Sequence, residues 1–134
     1  ILLGAVADQV KNIPDDIENL VLTCGSGITA IGVLAGIKRY GKNVRNIHLV
    51  ATAPDRRKLI HSMLQKHGAD RDFFYHDLFH TRGFSYEEPF YSVWGGIRLH
   101  PNYEAKTMAW FAKSGLRPED TLFWITGAEP LAGK

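Results

Sequence analysis

The chain has 134 residues, enough for one domain with a real core and too few for two. Hydrophobic residues make up 45% and charged residues 22%, which excludes disorder. The net charge of +2 gives no electrostatic case for nucleic acid or an anionic membrane. One cysteine, Cys24, excludes an intrachain disulfide and a Cys-rich zinc site, and no apolar run approaches the roughly 18–20 residues of a membrane span.

Leu2, Val6 and Val10 recur at helical spacing, so the first segment reads as an amphipathic helix ending near Lys11-Asn12. Pro14-Asp15-Asp16 is turn chemistry. Asn19-Leu20-Val21-Leu22-Thr23 is a short apolar run between turns, the pattern of a buried strand. A glycine-rich turn, Cys24-Gly25-Ser26-Gly27, leads into a helix from Ile28 to Tyr40, stopped by Gly41. The unit repeats. Residues 46–51 read as a second strand. Pro54-Asp55 then opens a helix that carries Leu59, Ile60, Met63 and Leu64 and stops near His67-Gly68.

Residues 72–91 are rich in Phe and Tyr and show no clean period, so irregular structure with short strands is expected there. A helix follows from Tyr103 to about Ser114, capped by Asn102. Thr121-Leu122-Phe123-Trp124-Ile125 is a last buried strand. Strand and helix alternating over short connections predict a three-layer α/β fold. Its mainly parallel sheet has strands near 20–24, 46–51 and 121–126, all in one domain spanning 1–134.

The turn after the first strand suits an anion. Glycines let successive N–H groups converge, the following helix start adds positive charge, and Ser26 and Thr29 offer hydroxyls. Neither a Walker-type G-x-x-x-x-G-K-[ST] nor a G-x-G-x-x-G is present, since Ile31 stands where the last glycine would be. A plain strand-to-helix turn with a capping serine is the alternative.

Three stretches together resemble a known family. Cys24-Gly25-Ser26-Gly27-Ile28-Thr29-Ala30 resembles the phosphate-cradling loop of fold-type II pyridoxal-phosphate enzymes, the tryptophan synthase β-like superfamily. Gly96-Ile97-Arg98-Leu99-His100-Pro101-Asn102-Tyr103-Glu104-Ala105-Lys106-Thr107-Met108 resembles the E-G-I-x-L-D-P-V-Y-[TE]-G-K-[AS]-M segment of the 1-aminocyclopropane-1-carboxylate deaminase and D-cysteine desulfhydrase branch. Phe123-Trp124-Ile125-Thr126-Gly127 is similar to the family's terminal strand and its H-T-G-G turn.

This resemblance implies pyridoxal 5'-phosphate as cofactor and lyase or deaminase chemistry on a small amino-acid substrate. Cys24, Gly25, Ser26, Gly27, Ile28 and Thr29 would hold the phosphate, and Tyr103 would act as a catalytic phenol. Either Glu104 or Thr126 would face the pyridine nitrogen. Departures from the family pattern fall at Ile28, His100, Ala105 and Ala128. Nothing matches the family's N-terminal segment with the Schiff-base lysine, and the chain starts Ile1-Leu2-Leu3-Gly4 without Met. It is therefore expected to be the C-terminal portion of a longer cytoplasmic enzyme, inactive alone and prone to form a homodimer.

Gly27, Glu104 and Thr126 are expected to line one cleft at the carboxyl edge of the sheet. No metal site is expected. His76 and His80 are read as loop histidines on the surface, and Arg56-Arg57-Lys58 as a solvated helix face. The competing functional reading is a non-catalytic α/β module that binds a phosphorylated ligand or a partner chain.

Overall fold

The computed structural model describes the backbone of residues 2–78, 93–94, 97–99, 104–124 and 128–130, and the side chains of 6–78 and 106–124. In chain order the elements are helix α1 (Leu2–Gln9), strand β1 (Asp16–Cys24), α2 (Ile28–Arg39), β2 (Asn43–Ala51), α3 (Arg57–Lys66), β3 (Phe74–Asp77), β4 (Val93–Trp94), β5 (Ile97–Leu99), α4 (Glu104–Ser114), β6 (Thr121–Trp124) and β7 (Ala128–Pro130).

Four strands form the main sheet in the order β3-β2-β1-β6, and every neighbouring pair is parallel. The architecture is the expected α/β layer with a parallel sheet, and the three strands read from their apolar runs are its centre and one edge. The fourth, β3, is a short strand within the stretch expected to be irregular with short strands. Its sequence, Phe-Tyr-His-Asp, has no buried run because it is an edge strand, with Phe74 and Asp77 exposed. A small antiparallel sheet, β4-β5-β7, is separate.

Alternation along the strands sends residues to two faces. Leu20, Leu22, Cys24, Ile47 and Leu49 pack with α2 and α3 in an aliphatic cluster, to which Val10, in the 3-10 turn that follows α1, also belongs. Val21, Val50 and Phe123 face the other way, against Met108, Trp110 and Phe111 of α4. The close approach of α1 to α2 depends on Gly36. A Cβ there would lie 2.6 Å from Val10 Cγ2 and 2.7 Å from the Ala7 carbonyl oxygen.

Helix α3 begins at Arg57, later than Pro54-Asp55 suggested. Asp55 lies ahead of the helix and accepts from the Arg57 N–H at 2.9 Å. The last helix begins at Glu104, and Tyr103 lies outside the described residues.

Candidate functional site

Strand order reverses at β1. From β1 the chain steps through α2 to β2 and α3 to β3 on one side, whereas β6, reached from α4, lies on the other. The helices of the two directions cover opposite faces. The carboxyl ends of β1 and β6 therefore flank a topological switch point, the place where open α/β sheets bind ligands. The glycine-rich turn leaves β1 at this point.

The turn is rooted by Cys24. Its carbonyl accepts from the Thr52 N–H at 3.3 Å, and its side chain is 1% exposed within the aliphatic cluster. Burial pushes the thiol up to about 11, against a weaker opposing effect of a hydrogen bond with Tyr75 and the charge of Arg56. Cys24 is thus an anchor and not a nucleophile. Gly27 follows at φ +93°, a conformation costly for any residue with a Cβ, and it turns the chain into α2.

The first helical bond of α2 runs from the Ile31 N–H to the Gly27 carbonyl at 2.9 Å. The N–H groups ahead of it are the open donors of a helix start. Among the described residues only the Ile28 N–H has a local acceptor, Ser26 Oγ at a long 3.4 Å, and α2 carries no side-chain cap. Ser26 and Ile28 are exposed and Thr29 half-buried, so the open donors lie near the surface. A helix start with open amides and no acidic residue in its first turn fits a phosphate.

The loop from β2 to α3 forms the neighbouring wall. The Arg56 N–H donates to Tyr75 Oη at 3.1 Å. A Cβ placed on Gly27 would meet Arg56 Cβ at 3.4 Å and Ile60 Cγ1 at 3.5 Å, so Arg56 lies against the turn. It is half-buried, unlike exposed Arg57 and Lys58, and the expected solvated face holds only for those two. Arg57 spends its charge on Asp55, at 2.6 Å, and its guanidinium carbon lies 5.1 Å above the Tyr75 ring. That pairing holds the Asp55 carboxyl down at about 2.

Helix α4 reaches the same edge from the opposite face. Thr107 Oγ1 lies 2.6 Å from Thr23 Oγ1, which brings the first turns of α4 to the carboxyl end of β1. Lys106 and Thr107 are both fully buried there. Glu104 begins this helix, and its side chain is not described; Tyr103 and Thr126 lie outside the described residues. The backbone does tie their flanks together. Leu99 pairs with Ala128, joining the strand that leads toward α4 to the strand that follows β6.

Sequence reasoning missed one polar cluster. His76 is half-buried on β3, with Nε2 at 3.0 Å from His48 Nδ1 and its ring centroid 4.4 Å from that of Trp110. The surface-loop reading of His76 is thereby corrected; no local signal joins residues 28 positions apart. His80 lies outside the described residues, and among the described residues no cluster of three or more metal-ligating side chains occurs. A cleft of about 960 Å³, lined in part by Lys42, Arg45 and Arg71, sits at the amino end of β2, away from the turn. Among the described residues no helix is long and apolar enough to cross a membrane.

Fold and edge together define a doubly wound α/β layer with a glycine-rich turn and the open start of α2 at its switch point. No protein-family model matches the chain. It is 28% identical to the O-seryl-dTMP PLP-dependent decarboxylase of Salmonella phage ViI, over 92% of this chain and 42% of that protein. The chain thus spans less than half the length of the curated relative it matches.

Proposed function

We propose that the chain is the phosphate-holding part of a pyridoxal-phosphate enzyme that breaks a bond at the α-carbon of an amino acid or amino-acyl group. The observation that carries this reading is the open start of α2 behind Gly27 at the switch point. The similarity to a PLP-dependent decarboxylase supports the same cofactor. When bound, pyridoxal phosphate supplies an electron sink for the charge left at the α-carbon.

The chain's own contributions follow from its residues. Backbone N–H groups of residues 25–29, with the Ser26 and Thr29 hydroxyls, hold the phosphate, and Cys24 roots the turn. Tyr103 moves a proton at the reacting amino acid. Glu104 or Thr126 sets the protonation of the ring nitrogen, the carboxylate favouring the protonated form more strongly than the hydroxyl. In the desulfhydrase reading the bond broken at the α-carbon is C–H, followed by elimination; 1-aminocyclopropane-1-carboxylate carries no hydrogen there, so in the deaminase reading it is a ring C–C bond, followed by deamination. In a decarboxylase it is the bond to the carboxylate. A small amino-acid substrate and a second copy of the chain are the proposed partners. Phe74, 53% exposed on the open edge strand β3, supports association. The cytoplasm is the proposed compartment.

The test uses the protein as its gene encodes it. Borohydride treatment is expected to fix pyridoxal phosphate to a lysine, mapped by mass spectrometry. Binding of inorganic phosphate without such fixation would instead favour a non-catalytic module.

A further inference from the structure

The wall formed by the β2–α3 loop carries two polar groups that the reading above does not use. Thr52 is fully buried, and its Oγ1 has no hydrogen-bond partner among the described residues. An unmatched buried hydroxyl costs stability. Its position is defined by its own N–H, which donates to the Cys24 carbonyl and so places Thr52 across from the root of the turn.

Arg56 is the second. Among the described residues no carboxylate pairs with its guanidinium, whereas Arg57 next to it is fully engaged by Asp55. Its backbone is pinned by Tyr75 and its Cβ packs beside Gly27. Its charge is near enough to Cys24 to favour the thiolate there. A half-buried cation whose Cβ packs beside Gly27, and a buried hydroxyl without an acceptor on the residue whose N–H binds the Cys24 carbonyl, thus sit on the chain next to the turn that opens α2.

We propose that Arg56 and Thr52 complete the cradle of the α2 turn and bind the dianion of a phosphate monoester, Arg56 supplying charge and Thr52 a hydroxyl hydrogen. This rests on the cofactor reading only for the identity of the monoester; the anion site stands on its own geometry. Charge-assisted hydrogen bonds from a guanidinium are the strong ones, and the dianion gives Arg56 the acceptor it lacks.

Two variants of the gene-encoded protein test it, Arg56→Gln and Thr52→Val. Each is titrated calorimetrically with inorganic phosphate and pyridoxal phosphate, with phosphate-free pyridoxal as the control. For Arg56→Gln, both phosphate ligands are expected to bind about tenfold more weakly, with a shallower salt dependence and unchanged pyridoxal binding. Thr52→Val is isosteric and removes an unpaired group, so the ligand-free protein should melt no lower while phosphate affinity falls about threefold.

Wild-type phosphate affinity in either variant overturns the proposal, as does an equal loss for pyridoxal. If the unaltered protein binds inorganic phosphate through Arg56 and Thr52 yet never fixes pyridoxal phosphate on a lysine, the cofactor reading fails and this one stands. Fixation with unaltered phosphate affinity in both variants gives the reverse.

Discussion

The two faces of the main sheet are built from different chemistry. Toward α2 and α3 the strands send Leu20, Leu22, Ile47 and Leu49, a dry aliphatic layer. Toward α4 they send Val21 and Val50 along with Thr23, whose hydroxyl meets Thr107, and His48, which contacts His76 and Trp110. Burying polar groups is costly unless each is matched, so a face chosen for stability alone would resemble the first. The difference assigns the α2–α3 face to holding the layer together. The α4 face and the carboxyl edge between them are where polar side chains are kept in place.

Substitutions on the two faces should therefore separate stability from ligand binding. Leu22→Ala removes a fully buried side chain from the aliphatic layer. It should cost about 3 kcal/mol in chemical denaturation while leaving phosphate affinity intact in the fraction that stays folded. A large loss of affinity there would break the division. Gly27→Ala should cost less, about 1–2 kcal/mol, because a Cβ at φ +93° is strained. Unlike Leu22→Ala, it should also lower phosphate affinity, as the turn must relax away from the geometry that converges its amides.

The dry face was also the more legible one. Leu20, Leu22, Ile47 and Leu49 lie in the runs that predicted β1 and β2, and the helix after the turn was placed from its 3.6-residue period. The turn itself was readable because Gly25, Ser26 and Gly27 are adjacent. Polar contacts across the other face were not. Thr23 and Thr107 are 84 residues apart, and only the parallel sheet with α4 across it brings them together. Arg56 was hidden for a different reason. It sits in a run of three basic residues, and the run looks solvated because two of its members are.

The Thr23–Thr107 contact gives a finer test of the α4 face. Thr23→Val leaves the buried Thr107 without that hydroxyl partner and should cost about 1 kcal/mol. Adding Thr107→Val removes the second hydroxyl and isolates the pair's own coupling. A double-mutant cycle checks this. A coupling near zero would mean that the contact contributes nothing, and that the first turns of α4 are held to β1 by packing alone.

The smallest effect expected is a pH dependence that belongs to the α4 face alone. Burial lowers the affinity of both His48 and His76 for protons, and for His48 the neighbouring His76 adds to it. The geometry agrees with neutral rings: Nδ1 of one and Nε2 of the other, 3.0 Å apart, share one hydrogen, with one ring donating and the other accepting. Protonating both would put two positive charges at that contact. Since the unfolded chain then binds more protons than the folded one, stability rises with pH across the window below the ordinary imidazole value of about 6.5. The contribution is complete above that value and is lost as pH falls toward the lowered folded values. His48 is buried but His76 remains partly open to solvent, which keeps the effect below that of Thr23→Val. Denaturation midpoints compared at pH 7.5 and pH 5 should fall more for the unaltered protein than for His76→Gln, in which His48 no longer faces a second ionisable ring. Equal falls in the two would show that the pair does not titrate with folding, and the polar face would then be coupled to pH nowhere in this contact.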